Sequence, residues 1–456
     1  MRAASALFER NRPMQLWMTR YFKSLDPEEI TVSVHPETGK VTGFGHTIPE
    51  IRPGADMAAE DAREIAARFV ASLGWDTTAM DLKESSAEKK KARRDYSLIW
   101  EARPGDARNV EQARWRVEVS VAGDRVTAAR GFWKLPEAWE RSREQENALA
   151  IAVTVVRIAA IAGLVVYALW LLIHGTRHGV VRWRAAIRLA LPATLIFPVA
   201  PLLSAGLMLK GYRTDVPLET FQAMTWLSLA MGAIFGFLLM GAAAAVVVTF
   251  YPDAVPALRR RNRAVMAADA VAALLAGAGI ALTLHRLEGI LLDRFHAQAL
   301  LSIGSPDIIA SAAPAVAAFA DAIRGLLIDA ALLGLITLLA WQLTRPWMRY
   351  AAALLALCAT LPGQVRTPGE FLLHYAISLA AAAAGIAFCW FFARRNYLAY
   401  ALAIWLVALR TPMMQLLGTG NATLQMQGWL IAGIGIATLV WAVAPVLLGR
   451  GAADRI

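Results

Sequence analysis

The chain has 456 residues, a net charge of +11 and a mean hydropathy of +0.46. The charge is unevenly placed: residues 1–148 hold 24 Lys and Arg against 24 Asp and Glu, leaving 22 basic and 11 acidic residues for the rest. A basic surplus confined to links between apolar runs is a membrane-topology signal, and it argues against a nucleic-acid surface.

Composition breaks near Asn147. Residues 1–27 read as a lead-in and 28–145 as a small α+β domain. Glu29 to His35 alternates as a strand, Pro36-Glu37-Thr38-Gly39 turns the chain, and Val41 to Ile48 runs back. Met57 to Leu73 predicts a helix with Ile65, Phe69 and Leu73 on its apolar face and Gly74 as its stop. Tyr96 to Glu101, Arg114 to Val121 and Arg125 to Leu135 predict three more strands, the last two joined by Ala122-Gly123-Asp124. The order is ββαβββ, similar to PepSY-like or cystatin-like modules. Lys89-Lys90-Lys91-Ala92-Arg93-Arg94 is the densest charge cluster and reads as a solvated loop between strands, with lipid-headgroup contact as the alternative.

Residues 149–448 read as a polytopic α-helical membrane bundle, with 449–456 as a short tail. About nine spans are expected: Leu149 to Ile173, Ala186 to Leu209, Phe221 to Phe250, Ala264 to Leu284, Ile323 to Leu343, Met348 to Leu361, Phe371 to Phe392, Tyr397 to Leu409 and Trp429 to Leu448. The sixth and eighth are short, so tilted, broken or buried helices are expected there. Both cysteines, Cys358 and Cys389, lie in apolar runs, so the front domain holds no disulfide and the chain no CxxC motif. Gly277, Gly279, Gly433 and Gly435 read as positions of close helix approach.

Alternate links differ in charge. One set holds fourteen basic residues: Arg177, Arg182, Arg184, Arg188, Arg259, Arg260, Arg261, Arg263, Arg345, Arg349, Arg394, Arg395, Arg450 and Arg455. The other holds six: Lys210, Arg213, Arg286, Arg294, Arg366 and Arg410. The richer set is expected in the cytoplasm, which puts the front domain and the poorer set outside. Residues 1 to 20 contain no apolar stretch of signal-peptide length, so the expectation is that an apolar segment precedes this chain; a cytoplasmic front domain with an even span count is the alternative.

Four strings then bear on family: Trp17-Met18-Thr19-Arg20-Tyr21-Phe22, Val41-Thr42-Gly43-Phe44-Gly45-His46-Thr47-Ile48-Pro49-Glu50, Arg94-Asp95-Tyr96-Ser97-Leu98-Ile99-Trp100-Glu101 and Leu135-Pro136-Glu137-Ala138-Trp139-Glu140-Arg141. They resemble the extracytoplasmic leader region of long bacterial CPBP proteins, the CAAX-protease and bacteriocin-processing type of intramembrane endopeptidase. The resemblance covers most of residues 17 to 145. It implies three catalytic motifs on membrane helices, EExxxR, FxxxH and a later HxxxN or HxxxD, in which glutamate activates water and histidines bind or polarise the reacting groups. This chain departs at all three. The best register places Ile328-Asp329 where two glutamates belong and Leu333 where the arginine belongs. Phe371-Leu372-Leu373-His374 is one residue short of FxxxH, and no histidine follows His374.

The remaining polar groups give the candidate sites. Asp321, Arg324 and Asp329 fall within about 140° on one helix, which suits an internal ion pair or a solute or proton pathway. Glu370 and His374 sit four apart, which suits a metal, a proton relay or a hydrogen bond orienting the imidazole. The segment His285 to His296 looks amphipathic and is expected to lie along the membrane surface, with His285, Glu288 and His296 as weak metal candidates. His174 and His178 read as headgroup contacts, and Arg157 as a cation reaching outward. No Walker loop, GxGxxG after a strand or GxSxG occurs.

The expectation is a non-catalytic binding or scaffolding relative of the CPBP proteins in the bacterial plasma membrane, with no cofactor. Its partners are the lipid bilayer and another membrane protein or peptide, with no nucleic acid. One alternative is an active endopeptidase using Asp329 or Glu370 with His374. The other is a small-solute or proton-coupled transporter using Asp321, Arg324 and Asp329.

Overall fold

A computed structural model describes residues 16–453 apart from 37, 145–147, 258, 299–306, 343–345, 364 and 394. Residues 1–15 of the lead-in, Asn147 at the composition break, Arg345, Arg394 and Arg455 lie outside the described residues. The chain divides into two compact units. One is Met1–Gln145 with Met208–Thr225, and the other is Glu146–Leu207 with Trp226–Ile456.

The first unit is a seven-stranded, wholly antiparallel sheet with one helix packed on it. Its strands are β1 (Trp17–Phe22), β2 (Glu29–Val34), β3 (Val41–Thr47), β4 (Met80–Lys89), β5 (Arg94–Ala102), β6 (Arg114–Ala122) and β7 (Arg125–Lys134); helix α1 (Ala59–Ser72) separates β3 from β4. The strand order β1-β2-β3-β7-β6-β5-β4 joins two meanders through the β3–β7 pair, where Phe44 faces Ala129. The expected ββαβββ order is therefore corrected by two strands, both at sheet edges. An edge strand needs no apolar face on its outer side, and β4 is mostly exposed beyond Met80.

Alternation does its work on the central strands. Tyr96, Leu98, Trp100 and Ala102 of β5 and Trp115, Val117, Val119 and Val121 of β6 are buried, while the residues between them are more exposed. Helix α1 meets this face through Ala62, Ala66 and Val70, with Phe69 and Leu73 only partly buried. The expected stripe through Ile65 is thus rotated by one residue, because two alanines let the helix axis approach the sheet closely. Tyr96 closes the core by donating its hydroxyl proton to Met57 O at 2.7 Å.

The Lys89 to Arg94 run does turn between β4 and β5, but Arg93 is not solvated. It is buried, donating to Asp95 at 2.8 Å and to the carbonyls of Pro49 at 2.8 Å and Arg52 at 3.1 Å. On the neighbouring loop Arg52, with His46, grips Glu28, and these hydrogen bonds hold the Glu28 carboxyl down at about 2.

The second unit is helical, and among the described residues seven helices are long and apolar enough to cross a membrane: Ala148–Arg177, Trp183–Leu203, Leu218–Thr249, Arg263–Arg294, Pro368–Ala393, Tyr397–Leu417 and Ala422–Val446. The elements after β7 are α2 (Glu137–Glu144), α3 (Ala148–Arg177), α4 (Trp183–Ile196), α5 (Val199–Leu203), α6 (Ala205–Met208), α7 (Leu218–Phe250), α8 (Ala254–Ala257), α9 (Arg260–Arg294), α10 (Pro314–Gln342), α11 (Pro346–Ala359), α12 (Pro368–Ala387), α13 (Tyr397–Leu417) and α14 (Ala422–Ala453). Beyond α4, Pro198 and Pro201 remove two backbone donors, and the chain continues as the short turns α5 and α6.

Two expectations about the helices change. The eighth span is not short: α13 runs through Arg410, Thr411 and Pro412 to Leu417 because Asn396 caps its start and tertiary packing of Leu409 and Leu416 carries it on. The segment from His285 does not lie apart on the surface, since α9 is unbroken from Arg260 to Arg294. After α12 a π-helical turn, Phe388–Ala393, carries the chain to Asn396, whose side-chain amide donates to Met266 O on α9 at 2.9 Å. Of the four glycines expected at close approaches, Gly277 fits, where a Cβ would stand 3.0 Å from the Phe388 ring, and Gly435 meets Leu406 at an ordinary 3.6 Å, whereas a Cβ at Gly279 or Gly433 would meet nothing within 4 Å among the described residues.

Gly131 on β7 shows how tight the first unit is. A Cβ there would lie 2.3 Å from the ring of Trp115, which is buried edge-on to Trp133 with centroids 4.8 Å apart and cannot swing away. Gly131→Ala is expected to destabilise the sheet unit by about 1–3 kcal/mol. The check is a lower midpoint in thermal unfolding of the purified full chain followed by tryptophan fluorescence.

Candidate functional site

Within the first unit, β1 and the turn after it grip the segment that links α6 to α7. Arg20 projects from β1 and donates through Nη1 to Tyr212 O at 2.7 Å and Leu209 O at 3.1 Å, while Nε bonds Glu29 on β2 at 2.9 Å. Tyr212 is 2% exposed, its ring set between Phe22 and Phe221 with centroid distances of 5.1 and 5.0 Å. Its hydroxyl donates to Val216 O at 2.6 Å and lies 3.1 Å from Ser24 Oγ.

Ser24 Oγ in turn accepts from Leu218 N at 2.9 Å, which satisfies a first-turn amide of α7 that has no partner inside its own helix. Leu25 adds a backbone bond to Thr214 O at 2.9 Å and adopts φ 62, a left-handed conformation that a leucine accepts only when its surroundings enforce it. The sheet thus holds the loop by an arginine fork, a buried phenol and a borrowed helix cap. The first turn of α7 therefore starts inside this grip.

The intramembrane candidates are placed differently. On α10 the Asp321 and Arg324 pair forms at 2.9 Å, with the guanidinium 5.6 Å from the ring centroid of Phe197. Asp321 stays accessible, its side chain 49% exposed, between buried Ala320 and Ala322. Asp329 is exposed two turns on and leans back over Gly325, where a Cβ would meet its Oδ2 at 4.0 Å. The Asp321–Arg324 pair is therefore a local contact within one helix, and Asp329 extends the same strip.

Glu370 is buried at 2% exposure, and the α12 N-terminus accounts for its carboxylate. Oε2 accepts from Arg366 N at 2.8 Å and Thr367 N at 3.3 Å, while Thr367 Oγ1 accepts from Glu370 N, completing a capping box. Proline at the first helical position completes a strong start signal, Thr367-Pro368-Gly369-Glu370. One turn on, Phe371 stacks on Tyr375 at 5.3 Å, so the phenylalanine pairs four residues ahead with an aromatic ring that is not His374.

The histidines of the helical unit are spread along separate elements. His285 Nδ1 lies 4.0 Å from Glu288 Oε2 on the exposed side of α9, and His296 is exposed in the 3-10 turn after it. Among the described residues no three His, Cys, Asp or Glu side chains are grouped so as to hold a metal ion, so His285, Glu288 and His296 do not form such a set, nor do Asp329, Glu370 and His374. His174 and His178 end an aromatic column on α3, Tyr167–Trp170–His174–His178, with successive centroids 6.0, 5.2 and 4.1 Å apart. Arg157 reaches the link before α12, where its Nη1 would lie 2.8 Å from a Cβ on Gly363.

Sequence reasoning missed the grip on the 208–218 segment. The available signals were Arg20 within an alternating Trp17 to Phe22 run and a lone Tyr212 in a link too polar to bury it unaided. Arg20→Ala is expected to free the loop, seen as faster tryptic cleavage at Lys210 and Arg213 in the purified full chain. Glu370→Ala is expected to fray the start of α12 at a cost of about 1 kcal/mol, with Glu370→Gln milder, as hydrogen exchange of the 366–372 amides would report. Compared with family models, curated proteins and solved structures, the chain finds no match.

Proposed function

We propose that this chain is a non-catalytic relative of the CPBP intramembrane endopeptidases: a binding or scaffolding protein of the bacterial plasma membrane whose sheet unit faces outward and passes occupancy to the membrane helices through the 208–218 loop. The observation that carries the reading is the Arg20, Ser24 and Tyr212 grip, which ties the first strand of the sheet to the start of α7. A domain that only decorated a membrane anchor would have no need to cap one of its helices.

The orientation draws support from two independent features. The sheet unit precedes α3 and the gripped loop follows α4 and α5, so two crossings separate them and both belong on one face. That face carries the arginine-poor links.

Nine crossings is the count this reading uses, with α10 and α11 in the fifth and sixth places. The start of α10 receives Gln427 from the first turns of α14 at 3.1 Å, while Leu327 and Ala331 further along it pack with Leu172 at the end of α3 and Ala186 at the start of α4. A helix that reaches from one end of its neighbours to the other has the length of a crossing.

The non-catalytic half of the reading rests on the occupied Glu370 carboxylate and on the missing acid and arginine beside Asp329. A solute pathway is the second reading, and the accessibility of the Asp321 carboxylate within a predominantly apolar helix favours it. Two assays separate these outcomes. Purified protein incubated with prenylated and leader-peptide substrates is expected to leave them intact, and cleavage abolished by His374→Ala would return the chain to the proteases. A photo-crosslinking side chain at Ile51, 81% exposed on the sheet unit, is expected to capture a membrane protein or peptide that a probe at Arg188 does not. Equal capture by both probes, together with proteoliposome uptake lost in Asp321→Ala, would establish transport instead.

A further inference from the structure

Arg263 stands in the first turn of α9 and is only 9% exposed. Among the described residues three buried side-chain polar atoms have no hydrogen-bond partner, and two of them are its Nε and Nη1. Guanidinium cannot shed its proton, so this is a permanent charge removed from water with in-plane donors left open. The face of the plane is covered: Trp441 of α14 lies beneath it, 3.8 Å from the guanidinium carbon to the ring centroid. That contact satisfies the charge in part, while Nε and Nη1 remain without a hydrogen-bond acceptor.

The surroundings all favour an anion. Arg259 is the cap residue of α9 and no side chain caps the helix, so its first amides point outward with the positive end of the helix dipole. The end of the bundle is the arginine-rich one. On the facing helix Val440 is 58% exposed and Trp441 itself 45% exposed, an apolar flank of the kind that acyl chains cover.

We infer that Arg263 and Trp441 form a binding site for a phosphate oxyanion, supplied by the headgroup of an anionic phospholipid whose chains lie along α9 and α14. The phosphodiester offers acceptor oxygens to Nε and Nη1, the ring supports the guanidinium from below, and the open amides of α9 add partial positive charge. The inference uses the membrane reading and is independent of whether the chain is catalytic.

The test uses delipidated full-length protein in detergent, titrated separately with phosphatidylglycerol, phosphatidylcholine and inorganic phosphate and read by native mass spectrometry. Phosphatidylglycerol adducts are expected to exceed phosphatidylcholine adducts, and Arg263→Gln is expected to weaken them about five-fold, the weight of one basic side chain at an anionic surface. Arg286→Gln, an exposed cation at the opposite end of α9, is expected to leave them unchanged. Displacement of phosphatidylglycerol by millimolar inorganic phosphate would keep the anion site but overturn its assignment to lipid. Equal binding by Arg263→Gln with an unchanged circular dichroism spectrum, or an equal loss in Arg286→Gln, would overturn the site. Should Arg263→Gln not fold, the wild type decides: equal, salt-insensitive binding of the two lipids refutes the proposal.

Discussion

A peptide group inside hydrocarbon has no water to bond, and that single constraint shapes the larger part of this molecule. Each crossing must close its own ladder, so apolar stretches become helices, and irregular backbone is confined to places where other groups can serve it. The interruptions follow this rule closely. Pro198 and Pro201 break the second crossing into short turns at its end. Thr367 and Glu370 serve the open amides of α12, and Asn396 serves both the start of α13 and the Met266 carbonyl. The exposed apolar residues that line these helices, such as Val166, Phe235 and Ile386, are the lipid-facing counterpart of the same requirement.

The sheet unit answers to water instead, and there the alternation of side chains governs. Its central strands are plain in the sequence because one face is buried and the other wet. Strand β4 is not, since Lys83, Glu84, Ser85 and Ser86 carry no period to detect. The strand exists because β5 offers it a row of backbone partners, which is tertiary information. The same holds for Ala62 and Ala66, whose importance lies in being small and not in being strongly hydrophobic.

Legibility of the candidate groups followed a related line. Local pairs such as Asp321 with Arg324 could be read from spacing, because a helix brings residues three apart together whatever else it does. The carboxylate of Glu370 was visible as a residue four before His374, but the competing pattern, Thr367-Pro368-Gly369-Glu370, describes a helix start and describes it better. Contacts across great separation left almost no trace. The alternating run around Arg20 and the lone Tyr212 mark each residue but not their pairing through the carbonyls of Leu209 and Tyr212, and nothing near Arg263 announces Trp441.

The borrowed cap on α7 has a consequence for how the molecule is built. Ribosomes deliver the chain from its amino end, so every strand of the sheet has been released before Tyr212 is made. The hairpin formed by the second and third crossings therefore emerges after all seven strands have been made, and its loop closes against residues already synthesised. Sequence order and architecture coincide here: the earliest-made strand is the mould for a joint that the ribosome reaches almost two hundred residues later.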